Sequence, residues 1–538
     1  MIEEVVLQKE IFKILIADHI SSEGIEILKK VPNIEVDEET SLSPQALREK
    51  IKYYHAIIIR SATKLTTEII ESAQNLMVIG RAGIGLDNVD IKAATKKGIV
   101  VMNAPEGNVV TTAEHTMALL FSLTRNIPQA TASLKSEKWE KKRFRGRELC
   151  EKTLGIIGLG RVGSIVADRA KGVKMRVIAY DPFIGQEVAE KMGVELVPLE
   201  ELYRRADFIS VHTPLTAETK WLVDRKAFSQ MKDGVMIINC ARGGIIKEKD
   251  LYEAIISGKV AGAALDVFEQ EPPGNNPLLN LENVICTPHL GASTKEAQTN
   301  VAVAITEQII DYLTNGIIRN AVNVPCISQE LLSTLGPCLT LAEKMGAFHA
   351  QTIKGAIKEV TLEYVGDVAQ FETQPITIAA LKGLLSPILG HTVNFVNAPL
   401  LAATRGIRVT EVKRGVPTDF TNVVVFKIST EQGEAKSITG TIFGKRQPRI
   451  VRLNGFRLEA VPEGHMLLIQ NVDVPGVIGN IGGILAKHGI NIARMHVGQD
   501  ETTGQTMILL SINTPVPKEI LEEIKKLQHV LSALPLEL

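Results

Sequence analysis

Residues 153–181 constrain this chain more than any other stretch. Leu154 to Ile157 form a short apolar run that reads as a buried strand. Gly158, Gly160 and Gly163 follow at the G-x-G-x-x-G spacing, and Val162 to Ala170 reads as a helix. The first glycine permits a tight turn, the second lets a pyrophosphate reach bare backbone, and the third lets helix and strand pack closely. The pyrophosphate would rest on free N–H groups at the positive end of the helix dipole. A second strand, Arg176 to Tyr180, ends in Asp181, an acid about 20 residues on that can accept both ribose hydroxyls. A carboxylate there repels a 2′-phosphate, so the pattern favours NAD over NADP. A similar run, Gly80-Arg-Ala-Gly-Ile-Gly85, lacks the third glycine at the right place and is not read as a second dinucleotide loop.

The rest of the chain frames this unit. With 538 residues it holds about three or four domains. Lys plus Arg (60) balance Asp plus Glu (61), so no global field favours nucleic acid or an anionic membrane. The five cysteines form no C-x-x-C pair, which points to neither a disulfide framework nor a metal site. No apolar run reaches the about 18 residues of a membrane span, and the early acids of Met-Ile-Glu-Glu do not read as a secretory signal. The expected setting is a reducing cytoplasm.

Strand-like and helical stretches alternate through 11–102: Ile11 to Ala17, Ala56 to Ile59, Leu76 to Ile79 and Ile99 to Met102 read as strands. Ser43 stands as an N-cap before Pro44. That alternation predicts a doubly wound parallel sheet. The glycine motif starts a second such unit, with strands ending near His212-Thr213-Pro214, Ala241-Arg242-Gly243-Gly244, Asp266 and Pro288-His289. Ligands of open α/β sheets bind beyond the carboxyl ends of strands, so these ends supply the candidate site. Residues 328–455 read as strands separated by glycine-rich turns, and 464–538 as a compact β-α-β-β-α-β module.

A bound nicotinamide implies hydride transfer, and the oxygen on the reacting carbon must exchange a proton. His289 is the best general acid/base, because its ordinary pKa lies near neutrality. Glu271, before two prolines, is the leading carboxylate partner, and Arg242 offers a planar fork for a substrate carboxylate. Taken singly, each fits a structural role as well: a solvated histidine, a surface turn, a helix start. Together, at strand ends downstream of the glycine motif, they favour catalysis. Arg60 and Arg81 also stand at strand ends, and Asn108 lies at the hinge between the two units. Such cations suit an anionic substrate.

The same residues carry a family resemblance. The chain resembles the D-2-hydroxyacid dehydrogenases through Gly158-Leu-Gly-Arg-Val-Gly163, Asn239-Cys-Ala-Arg-Gly-Gly244, Leu265-Asp-Val-Phe-Glu-Gln-Glu-Pro272 and Thr287-Pro-His289. Arg60-Ser-Ala-Thr63, Gly80 to Asp90 and Trp139 to Phe144 narrow the likeness to the long, four-domain branch. The resemblance implies NAD-dependent oxidation of 3-phospho-D-glycerate to 3-phosphooxypyruvate, the first step of L-serine biosynthesis. It implies a flavodoxin-like substrate-binding domain (1–107, completed by 296–326), a Rossmann NAD-binding domain (108–295), an α+β intervening domain (327–456) and an ACT domain (463–538). Arg242, Glu271 and His289 would be the catalytic set. Gly158, Gly160, Arg161, Val162, Gly163, Asp181, Thr213, Cys240 and Asp266 would hold NAD, and Arg60, Ser61, Arg81 and Asn108 the substrate. Asn471, Asp473 and Asn491 match serine-binding positions of the ACT domain; Asp473 suits an ammonium and Asn491 a carboxylate or hydroxyl. Lys141, Lys142 and Arg143 read as a solvated basic face, whereas the resemblance implies that they reach a partner subunit's active site. Lys445, Arg446, Arg449 and Arg452 read as a solvated basic face, with an anion site as the alternative. The resemblance further implies a homo-oligomer, a tetramer or a dimer. The competing readings are a glyoxylate or hydroxypyruvate reductase on the same scaffold, and a NAD-sensing binding protein.

Overall fold

A computed structural model describes residues 11–390, 392–415, 420–444, 446–500 and 504–538. Four sheets organise them. The first contains β1 (Phe12–Ile16), β2 (Ile34–Glu38), β3 (Ala56–Ile59), β4 (Val78–Arg81) and β5 (Val100–Asn103), all parallel, in the order β2-β1-β3-β4-β5. That is the flavodoxin-like order. β3 is fully buried along its length, as expected of a parallel sheet covered on both faces. Each buried Ile or Val of this kind contributes about 1.5–3 kcal/mol relative to exposure. Ser43 caps its helix as the sequence predicts, its hydroxyl oxygen accepting from Ala46 N at 3.2 Å. The helix Lys295–Asn315 returns to this sheet and buries Val301, Ile305 and Ile309 against it.

The second sheet contains β6 (Thr153–Ile157), β7 (Arg176–Tyr180), β8 (Glu195–Leu196), β9 (Phe208–Val211), β10 (Val235–Asn239), β11 (Val260–Leu265) and β12 (Val284–Cys286). All are parallel, in the order β12-β11-β10-β9-β6-β7-β8. The strand order reverses beside β6, which creates the crevice where ligands of such sheets bind. The helix Val109–Arg125 leaves the first sheet and packs on the second through Ala113, Met117, Leu120 and Leu123.

The third sheet is formed by β13 (Ile357–Gly366), β14 (Arg408–Arg414), β15 (Asn422–Thr430), β16 (Ala435–Phe443), β17 (Gln447–Leu453) and β18 (Phe456–Ala460). β13 and β14 are parallel and the other pairs antiparallel. Helices Gln329–Thr352 and Gln374–Leu389 pack on it and cross each other at glycines. A Cβ on Gly383 would fall 1.9 Å from Glu343 O, and one on Gly346 2.2 Å from Ala380 O. The fourth sheet, β19 (His465–Val472), β20 (Ile492–Asp500), β21 (Gln505–Ile512) and β22 (Val530–Glu537), is antiparallel in the order β20-β21-β19-β22. Helices Val477–Lys487 and Lys518–Lys525 cover one face. From the other face Met466, Leu468, Met507 and Leu509 join the core of the third sheet.

The α/β class of the front half and the α+β class of the rest agree with the sequence. Several elements differ. β4 runs to Arg81 and β5 to Asn103, later than their apolar runs suggest, because pairing of β4 with β3 and of β5 with β4 sets the register. β2 has no clear sequence signal, since Glu35, Asp37 and Glu38 break its apolar pattern on an edge strand. Two long helices in 329–389 replace the turns and strands expected there; Gly336, Pro337, Gly346, Gly383 and Pro387 lie inside them and mimic loop punctuation.

Candidate active site

The cofactor side begins at the end of β6. Gly158 adopts a left-handed φ of 94°, and space opens above Gly160, where a Cβ would meet nothing within 4 Å. A Cβ on Gly163 would lie 2.1 Å from Gly158 O, so only glycine lets the helix Arg161–Gly172 start this close to the strand. Asp181 follows β7; its Oδ2 accepts from Leu159 N and its Oδ1 from Phe183 N, both at 2.9 Å. These bonds aim the carboxylate at the glycine turn and leave lone pairs on both oxygens.

A cavity of 310 Å³ lies beyond the strand ends, bordered by Val162, Thr213, Cys240, Arg242, Asp266 and His289. Thr213 Oγ1 is buried with no protein partner, an orphaned polar atom suited to a polar ligand. Burial pushes the Cys240 thiol up to about 12, so it stays neutral. His212, half-buried at the edge of this cavity with its Nε2 2.8 Å from Ser210 Oγ, is lowered by desolvation to about 4 and stays neutral. Arg161 points outward, 3.8 Å from Glu106. Asp266 borders this cavity, and its buried carboxylate accepts from Thr287, Leu290 and Gly291.

A larger cavity of 620 Å³ opens beside it, lined by Arg60, Ser61, Arg81, Asn108, Glu271 and His289 among others. Arg81, Asn108, His289 and Ala292 border both spaces, so they meet at the imidazole. Arg81 is half-buried, with its Nε buried and unpartnered. Desolvation, then the charge of Arg242, lowers it to about 10, still protonated at neutral pH. The guanidinium of Arg242 lies 3.4 Å from Asp87 and donates to Ala241 O at 2.7 Å. The run Gly80–Gly85 turns out to cradle both guanidiniums. A Cβ on Gly83 would sit 1.7 Å from Arg81 Nη1, and one on Gly85 2.2 Å from Arg242 Nη2. Asn108 opens the helix Val109–Arg125 with its Oδ1 buried and unpartnered.

His289 and Glu271 form an ion pair. Nδ1 of His289 donates to Oε2 of Glu271 at 2.8 Å, and Phe268 N donates to Oε1 at 3.2 Å. The Glu271 hydrogen bond and charge raise the His289 pKa against the opposing effects of burial and Arg242. Burial pushes the Glu271 carboxyl up, but His289 and the Phe268 N–H outweigh it and hold it below the usual range. The pair leaves Nε2 of His289 free to face the junction of the cavities.

Sequence reasoning missed the residues that brace this site. Asp18, the first residue past Ala17 at the end of the β1 run, accepts from Arg60 N at 2.6 Å and Thr63 Oγ1 at 2.7 Å. Asn88 Nδ2 donates to Arg60 O and Thr63 O, both at 2.6 Å. The strand-end rule alone would have found Asp18.

The three expected effector residues do not converge within one chain. Asn471 is buried with Oδ1 unpartnered, and Asp473 Oδ2 accepts from Gln499 Nε2 at 2.6 Å. Asn471 and Gln499 both pair at Thr506, whereas Asn491 precedes Ile492, which pairs at Ile512. Those rungs are about 20 Å apart at strand spacing. Lys445 lies outside the described residues, and Arg449 donates to Gln447 at 2.9 Å. Arg143 is paired with Glu140 and Glu282, while Lys141 and Lys142 are exposed.

Comparison with known proteins gives this geometry a family. The chain is 47% identical to the D-3-phosphoglycerate dehydrogenase of Methanocaldococcus jannaschii, over 96% of this chain and 98% of that one. It is 41% identical to the Bacillus subtilis D-3-phosphoglycerate dehydrogenase, over 97% and 98%. The chain belongs to the D-3-phosphoglycerate dehydrogenases. Family models agree along its length: the NAD binding domain of D-isomer specific 2-hydroxyacid dehydrogenases matches 117–291, the D-3-phosphoglycerate dehydrogenase intervening domain 334–454, and the ACT domain 465–529. Among solved structures, the TT0316 protein of Thermus thermophilus aligns at TM-score 0.54 and 31% identity, over 58% of this chain and all of that one. D-lactate dehydrogenase of Aquifex aeolicus, complexed with NAD and lactic acid, aligns at TM-score 0.52 and 27% identity, over 58% and 99%.

Proposed function

We propose that the chain oxidises 3-phospho-D-glycerate to 3-phosphooxypyruvate, with His289, Glu271 and Arg242 as its catalytic residues. The chain is an NAD-dependent dehydrogenase, and the observation that carries the residue assignment is the His289–Glu271 pair at the junction of the two cavities. The glycine turn, Asp181 and the unpartnered Thr213 hydroxyl fit a dinucleotide. Bound there, NAD would supply the hydride acceptor for the carbon that bears the substrate hydroxyl. His289 takes the hydroxyl proton at Nε2. Glu271 holds the tautomer through Nδ1–H and stabilises the imidazolium as it forms. Arg242 binds the substrate carboxylate and polarises the carbonyl; Arg60 and Arg81 take the phosphate. Replacing His289 by Ala tests the assignment: turnover should be lost while NADH still binds.

The runner-up is reduction of glyoxylate or hydroxypyruvate. A glyoxylate reductase structure aligns at TM-score 0.54 and 28% identity, but over only 58% of this chain. Three guanidiniums around one site favour a substrate with two anionic groups. A pure NAD sensor would not need the paired His289 and Glu271. The ACT match supports serine as effector. Since Asn471 and Asp473 stand at the opposite sheet end from Asn491, a serine touching all three would lie between two copies of the chain, in a homo-oligomer. No described helix is long and apolar enough to cross a membrane, and the reading places the reaction in the cytoplasm.

A further inference from the structure

His115 borders neither cavity, yet it touches the support of the proposed base. It sits in the second turn of the helix Val109–Arg125. Its Nε2 lies 3.2 Å from Asp266 Oδ1 and 3.2 Å from Thr287 Oγ1. Asp266 is fully buried. Its Oδ1 also accepts from Thr287 Oγ1 at 2.6 Å and Leu290 N at 2.7 Å; its Oδ2 accepts from Gly291 N at 2.8 Å. The backbone carbonyl of Asp266 accepts from His289 N at 2.9 Å. The carboxylate therefore clasps the backbone on the carboxyl side of His289, and its own main chain holds His289 directly.

His289 depends on that clasp. It is a non-glycine residue at φ 55°, a conformation costing on the order of 1 kcal/mol that the surroundings must impose. The Glu271 bond orients the ring; the Asp266 bonds fix the backbone that carries it. Both oxygens of Asp266 accept, and Oδ1 takes several donors at once, an arrangement that favours the ionised form. Burial works against ionisation, and the His115 and Thr287 hydrogen bonds lead the effects that hold the carboxyl below its usual range. The same helix grips the loop again: Thr112 Oγ1 donates to Gly291 O at 3.1 Å.

We propose that His115 is a positioning residue for His289, acting through the Asp266 carboxylate. The inference rests on the reading of His289 as the base. A donor lost at position 115 would loosen the Leu290–Gly291 backbone and let His289 slide from Glu271. The charged groups facing His289 are Glu271, Asp266 and Arg242, so a slide away from Glu271 would lower its pKa.

The test compares His115→Gln, which keeps an N–H at similar reach, with His115→Asn, whose amide falls short. Both are assayed in the full chain with NAD and whichever D-2-hydroxy acid the parent oxidises, across pH, with NADH binding measured alongside. The expected result is near-parental turnover for Gln. For Asn, kcat should fall about tenfold to a hundredfold, as for small misplacements of a catalytic group. NADH affinity should stay unchanged, and the acid limb of kcat/KM should move to lower pH. Equal behaviour of the two variants, with the limb unmoved, would overturn the proposal. His289→Ala is run in parallel. If it stays active, the base assignment fails and this inference with it; if it is inactive while His115→Asn matches the parent, this inference alone fails.

Discussion

Nδ1 of His289 lies 2.8 Å from the Glu271 carboxylate, and this contact decides which nitrogen meets the substrate and at what pH it can act. Glu271 raises the His289 pKa above its ordinary 6.5. A raised pKa keeps the imidazole protonated to higher pH. Oxidation needs the neutral base, so kcat/KM for oxidation should climb with pH through a midpoint above 6.5; reduction, which needs the acid, should fall through the same midpoint. Glu271→Gln removes the anion, so the midpoint should drop. Turnover should fall on the order of a hundredfold, within the usual worth of general acid–base catalysis. A pH–rate profile of the variant that keeps the parental midpoint would dissociate Glu271 from the base.

Asp181 should govern the choice between the two nicotinamide cofactors. Its carboxylate stands at the glycine turn, tied to Leu159 N and Phe183 N. Asp181→Ala should weaken NAD and relieve repulsion of a 2′-phosphate, cutting the NAD/NADP ratio of kcat/KM by about tenfold or more, the worth of one charged hydrogen bond. Steady-state kinetics with both cofactors checks this; an unchanged ratio would remove the ribose assignment.

Arg81 should distinguish phosphorylated from small substrates. Its half-buried guanidinium, with Nε unpartnered, is suited to an anionic ligand. Arg81→Gln should cost on the order of 2 kcal/mol of binding, about thirtyfold in KM, for 3-phosphoglycerate, and much less for glyoxylate. Equal losses on both substrates would mean that Arg81 only shapes the site.

The helix crossing over the third sheet should be intolerant of side chains. With a Cβ on Gly383 only 1.9 Å from Glu343 O, Gly383→Ala forces two backbones apart. The expected cost is about 1–3 kcal/mol, typical of overpacking, seen as a lower midpoint in thermal or denaturant unfolding. Wild-type stability would show that the crossing has slack.

The sequence displays what depends on local pattern. The glycine spacing, the apolar strands and the acid after β7 announce a dinucleotide fold without any knowledge of tertiary contacts. The catalytic candidates are visible as strand-end residues, because parallel sheets collect chemistry there. Braces are not. Asp18, Asn88 and His115 act through partners 25 or more positions away in the chain, and no spacing rule relates them. The Gly80–Gly85 run looks like a failed nucleotide loop, since its cradled guanidiniums are visible only in three dimensions. Helices rich in glycine and proline read as loops, because their stability comes from burial against the third sheet and not from propensity. Motif alone groups Asn491 with Asn471 and Asp473, and the sheet register separates them.

The most direct test of the account is formation of NADH from NAD and 3-phospho-D-glycerate by the full chain, followed by absorbance beside the His289→Ala variant. The account predicts steady NADH production by the parent and none above background by the variant. No production by the parent, with glyoxylate or hydroxypyruvate reduced instead, would contradict the substrate assignment, and turnover by the variant would contradict the mechanism.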